Sequence, residues 1–124
     1  MKLWMAWFSF WVVMFITAMA LAQGYPRRVV VTGTPTQLKP GSGELTFFYC
    51  AGTTGTDYLV FWDVSTAPTP GTTAVNASFN WVNSPLYGGG TGFRFIKGLY
   101  VAATLNSDGS GGAGTSETCT FGIK

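Results

Sequence analysis

The sequence predicts an all-β protein, an antiparallel two-sheet sandwich of jelly-roll or immunoglobulin-like form with about seven strands, preceded by one N-terminal hydrophobic helix. Three observations lead there. Gly occurs 17 times and aromatics make up 16% of residues against 10% charged, a balance that favours packed strands over disorder or coiled coil. From Arg28 onward the apolar residues come in short runs divided by Gly, Pro, Asn and Thr. No helical period appears after the opening segment. The 124 residues divide into residues 1–22, a signal peptide or retained transmembrane helix, and residues 23–124, one β-sandwich domain with no room for a second domain.

In chain order, VVVT at 29–32 reads as a first strand, closed by Gly33-Thr34-Pro35. LKPGSG at 38–43 reads as a turn, and ELTFFYC at 44–50 as a strand whose alternate residues Leu45, Phe47 and Tyr49 share a face. AGTTGT turns the chain into YLVFWD at 58–63, apolar on both faces and therefore central in its sheet. VSTAPTPGTT is a surface loop, because Pro68 and Pro70 lack the N–H a ladder needs. Strands at 75–82 and 93–96 flank the loop SPLYGGGTG. Lys97-Gly98 turns into a strand at 99–105, NSDGSGGAGTSE at 106–117 reads as a mobile tip, and 118–123 closes the domain.

Residues 3–22 have only Ser9 and Thr17 as polar members, and as a helix they would reach about 30 Å, enough to cross a bilayer. Trp4, Trp7 and Trp11 would share one helix face, and Trp4 and Trp7 lie near the end where interfacial aromatics sit. Against retention stand the short cationic start at Lys2 and the small-x-small pattern Ala20-Leu21-Ala22, which place signal-peptide cleavage between Ala22 and Gln23. Arg27 and Arg28 put more positive charge after the segment than before it, a bias that resists export. Cleavage is the expected outcome and an anchor its alternative; either way the domain is expected outside the cytoplasm, secreted, periplasmic or membrane-anchored.

Cys50 and Cys119 are too far apart in sequence for a CxxC pair, and the chain has no histidine to complete a zinc site. In an exported domain they are expected to form a disulfide between an early strand and the last one. On the chain-entropy model it is worth roughly 4 kcal/mol. In the cytoplasm both would be buried thiols.

The absence of histidine also removes imidazole-based triads and any His switch near neutral pH, leaving carboxylates as the acid/base candidates. Asp57 and Asp63 flank one strand some 20 Å apart, at about 3.3 Å per residue, and cannot act as a pair. Asp63 is expected to cap backbone in an Asx-turn or N-cap-like role. Asn106, Asp108 and Glu117 are too sparse for a calcium loop, and GGGTG at 88–92 lacks the Lys-Ser/Thr of a phosphate cradle. No catalytic residue, metal site or cofactor is therefore expected. The charge balance after Gln23 is near neutral with no basic stripe, so nucleic acid is not an expected partner. Arg27 and Arg28, the one cationic cluster, are expected as solvated residues at the start of an edge strand, with contact to anionic lipid or a partner as the alternative.

Exposed aromatics offer the other route to function. Trp81, Tyr87 and Tyr100 are the candidate contact surface, since flat rings give large contact area at low entropy cost, while Trp62 is expected in the core. Asn76-Ala77-Ser78 matches the glycosylation sequon, relevant only in a eukaryotic secretory pathway.

The stretch YLVFWDVSTAPTPGTTAV followed by GFRFIKGLYVAATLNSDG resembles small bacteriophage-encoded virion β-domains, over about residues 44–108. The resemblance implies a virion-associated β-sandwich of the decoration, spike or fibre kind. The apolar opening and the cysteine pair depart from that group and suit a membrane-containing virion or an exported surface protein. Two expectations follow: a non-enzymatic structural protein that meets copies of itself or capsid proteins, with residues 3–22 free to engage a membrane; and, as the alternative, a secreted or periplasmic module binding a ligand such as carbohydrate through aromatic loops.

Overall fold

The computed structural model describes residues 25–50, 57–80, 86–87 and 92–124. These residues form nine strands and no helix: β1 (Tyr25–Val31), β2 (Thr36–Pro40), β3 (Gly43–Cys50), β4 (Tyr58–Asp63), β5 (Ala77–Asn80), β6 (Leu86–Tyr87), β7 (Phe93–Phe95), β8 (Gly98–Thr104) and β9 (Glu117–Ile123). The apolar segment and the Ala22-Gln23 junction lie outside the described residues.

The strands make two antiparallel sheets. One has the order β1-β9-β3-β6, with β7 also paired to β3, and the other has the order β2-β8-β4-β5. Successive strands from β1 to β4 therefore alternate between sheets, and the two that close the chain, β8 and β9, each run between strands from its beginning. That arrangement puts the least polar runs, β4 and β8, side by side in the middle of a sheet, with polar-flanked β2 and β5 at the edges.

Two expectations about strands are corrected. Leu38, Lys39 and Pro40 belong to β2 rather than to a turn; β2 is an edge strand, where the missing N–H of Pro40 costs least, and Gly41 with a φ of 72° makes the turn with Ser42. Leu86-Tyr87 is a two-residue strand inside the expected loop, paired with Tyr49 and Phe48.

The face predicted for β3 is also corrected. Its register to β9 shifts between Leu45, opposite Ile123, and Phe47, opposite Gly122, so an extra residue is inserted there. Leu45 points into the core; beyond the shift Phe48 and Cys50 do so, and Phe47 and Tyr49 turn outward. Gly122 is the partner that permits it, because a Cβ at that position would lie 2.1 Å from the Phe47 ring.

The main core lies between the sheets. Val31, Leu45, Phe48, Phe121 and Ile123 of one meet Leu38, Leu59, Phe61, Leu99 and Val101 of the other. Phe48 packs on Phe61 at 5.6 Å between centroids and on Phe79 at 5.2 Å, while Phe121 meets Phe61 edge-on at 6.1 Å. These contacts across the gap make the molecule sandwich-like. Cys50 and Cys119 are paired neighbours on β3 and β9 and are joined by a buried disulfide, as expected for an exported domain. Arg27 donates from its guanidinium to the Leu38 carbonyl, tying edge strand β1 to β2 in the opposite sheet.

Candidate interaction surfaces

The outer faces of the two sheets are built differently. On the β2-β8-β4-β5 sheet, Val60, Trp62 and Ala102 point outward yet are fully buried, forming a second core with Tyr58, Tyr100, Val64 and Val75. The cover is the loop after β4 and the loop after β8. Trp62 donates its indole N–H to the Thr73 carbonyl at 3.1 Å, satisfying its single polar atom. Gly109, with a φ of 86°, lies against the far edge of the indole, where a Cβ would come within 3.2 Å of Cζ2.

The Gly/Ser-rich stretch expected to be a mobile tip is therefore folded back as part of that cover. Asp108 accepts from the backbone N–H and hydroxyl of Ser110, and the Gly114 N–H donates to Ala103. The Thr115 N–H donates to the buried carboxylate of Asp57. Those hydrogen bonds replace the entropy that composition alone suggested would win.

Between these loops is an open groove of about 480 Å³, lined by Thr72, Thr73, Asn76, Ser78, Ser107 and Asp108 among others. Its polar groups are already engaged in part: the Asn76 side-chain oxygen accepts the Asp63 N–H at 2.9 Å. No aromatic side chain lines it.

The other sheet has no such cover among the described residues. Val30 is 58% and Tyr49 49% exposed on its outer face, with Arg28, Thr118, Thr120 and Phe47 around them. The register puts Arg28, Thr120 and Tyr49 in one row across three strands, and Val30 beside Thr118 in the next.

The predicted aromatic platform is not one surface. Trp81 lies outside the described residues, Tyr87 is on the β6 edge of the open sheet, and Tyr100 is half-buried beside Trp62 on the other sheet. Trp62 is buried as expected, although in the second core. Tyr49 is the exposed aromatic on the outer face of the β1-β9-β3 sheet, and sequence alternation hid it because the register shift in β3 turns its side chain outward.

Asp63 is a backbone cap, but for a distant turn rather than for its own loop. One of its oxygens accepts from the N–H of Lys97 at 2.7 Å and of Ile96 at 3.0 Å, and Gly98 donates at 3.3 Å. Burial pushes this carboxyl up, but the N–H groups of Lys97, Ile96 and Gly98, with the charge of Lys97, outweigh it and hold it below its ordinary value. Asp108 is likewise held low by the hydroxyl and N–H of Ser110. Asn106 donates its side-chain amide to Ser110, while Glu117 sits on β9 opposite Val31, away from that turn. No group of three metal-ligating side chains occurs among the described residues. Compared with known proteins, the chain matches no family model, no curated protein and no solved structure.

Proposed function

We propose that this chain is a non-enzymatic structural protein of a virion or another extracellular assembly, and that its domain is a jelly roll packing on neighbouring subunits through the open face around Tyr49 and Val30. The observation that carries the reading is the strand order. Neighbours 1-9-3-6 and 2-8-4-5 are those produced when a long antiparallel hairpin rolls up into two four-stranded sheets, an architecture used by viral capsid and lectin domains. One sheet is covered by its own loops, and among the described residues nothing covers the outer face of the other, which suits a subunit that packs through that face. The buried disulfide fits an extracytoplasmic place of work. In this reading the residues serve assembly, with no catalysis, metal or cofactor, and the partners are copies of the chain or other coat proteins rather than nucleic acid.

The test is stoichiometry. Sedimentation of the native material is expected to show many copies in one particle, reduced to smaller species by Tyr49→Ser. A monomer whose sedimentation or fluorescence changes only when an oligosaccharide is added would replace this reading with that of a binding module using the groove at Asn76 and Asp108.

A further inference from the structure

We infer that one pole of the sandwich, made by the β2–β3 turn, the β7–β8 turn and Lys124, docks on an anionic lipid surface. The near-neutral charge of the sequence conceals a separation along the strands. Register places Tyr25, Pro40, Gly43, Asp63, Phe95, Gly98 and Ile123 at one end, and Val31, Cys50, Tyr58, Thr104 and Glu117 at the other. Arg27, Lys39, Arg94, Lys97 and Lys124 all fall in the first half, with Arg28 midway along β1. Asp57 and Glu117 fall at the far end, where the described residues include no Lys or Arg, while Asp108 lies on the turn folded back over Trp62.

The two acids at the basic pole are already engaged. Glu44 faces Arg94 at 3.9 Å and Lys124 at 3.8 Å, and Asp63 holds the three backbone N–H groups of the β7–β8 turn. At the tip of that turn, between the exposed cations Arg94 and Lys97, stands Ile96, 78% exposed and the most exposed of the large apolar side chains described. An exposed apolar side chain flanked along the chain by cations, on backbone fixed by a carboxylate, is the arrangement by which a surface meets headgroups and inserts below them.

The chain itself indicates which anionic surface. Tyr25, the first described residue, is paired with Ile123 at this pole, so the 20-residue apolar run at 3–22 is joined to the domain here. Whether the run is kept or removed after Ala22, this is the end that faces a bilayer as the chain leaves it. Docking here stands apart from the assembly role, which uses the outer face around Tyr49.

The test places an environment-sensitive fluorophore on Ile96→Cys in the full chain and, as a control, on Ser116→Cys at the opposite pole, exposed and next to Glu117. With vesicles of phosphatidylcholine mixed with phosphatidylglycerol, the probe at position 96 is expected to shift to the blue and become protected from an aqueous quencher. The change should be absent with phosphatidylcholine alone, absent at position 116, and reversed at about 1 M salt, where screening lengths fall to about 3 Å. Lys97→Gln, whose side chain is exposed, should weaken the response about fivefold, the worth of one cation near an anionic membrane. Lys39→Glu/Lys97→Glu should abolish it while the disulfide-bonded mass and the β-sheet circular dichroism stay unchanged. A silent probe at position 96, an equal response in neutral vesicles or at position 116, or a response to duplex DNA or to protein concentration in place of lipid would overturn the proposal.

Discussion

The two sheets are stabilised on opposite sides. The β2-β8-β4-β5 sheet is packed on both faces, since the loops after β4 and β8 fold over Trp62, Val60 and Ala102. Among the described residues the β1-β9-β3 sheet is packed on its inner face only, where the Cys50–Cys119 disulfide joins its two central strands, with Tyr49 and Val30 exposed on the outer one. A small domain can thus secure one sheet with loops and the other with a covalent bond.

Trp62 is the residue on which the covered sheet depends most. Trp62→Ala empties the second core and orphans the Thr73 carbonyl, so a loss of about 3–5 kcal/mol is expected in urea denaturation, with the 106–110 turn losing amide protection first. If that turn keeps its protection in the variant, the cover does not depend on the indole. Close behind is the double variant Cys50→Ala/Cys119→Ala, expected to cost about 4 kcal/mol and to abolish the difference between oxidised and reduced protein in the same assay. Gly109→Ala should cost about 1–2 kcal/mol, because an L side chain must take a left-handed backbone while meeting the indole edge.

Asp63→Asn sharpens the account of the basic pole at a cost of about 1 kcal/mol in neutral buffer. The sign with pH follows from the lowered carboxyl. Its stabilisation is fully present above the unfolded-state value of about 3.9 and is lost as pH falls through the lower folded-state value, so wild type and variant should converge in acid. A constant difference between the two down to the lowest pH would show that the carboxylate's charge is not what holds the turn. Smallest is Tyr49→Ser on the bare face, expected to change monomer stability by no more than about 0.5 kcal/mol while weakening assembly measured by sedimentation.

Much of the architecture was legible in local pattern. The β4 strand at 58–63 was read with its observed bounds, since an unbroken apolar run closed by Asp63 can only be an interior strand in a chain this short on helical period. The disulfide was legible too, as the simplest fate of two distant cysteines in an exported domain. Strand β2 was not, because Lys39-Pro40-Gly41 carries strong turn chemistry and only an edge position allows two of those residues into a ladder. The β6 pair was hidden for a related reason: two residues flanked by Pro and Gly have no period to read.

What the sequence determined by itself was the β class, the runs that become strands and the cysteine pair, because alternation, turn residues and proline's missing N–H act within a few residues. Tertiary structure decided the rest. The register shift in β3 depends on Gly122 in a strand 75 residues later, the burial of Trp62 on two loops that cross it, and the gathering of Lys39, Arg94, Lys97 and Lys124 at one pole on the order in which strands pair. Each is a choice among distant partners, made by how side chains fill a shared core and not by any preference a residue carries alone.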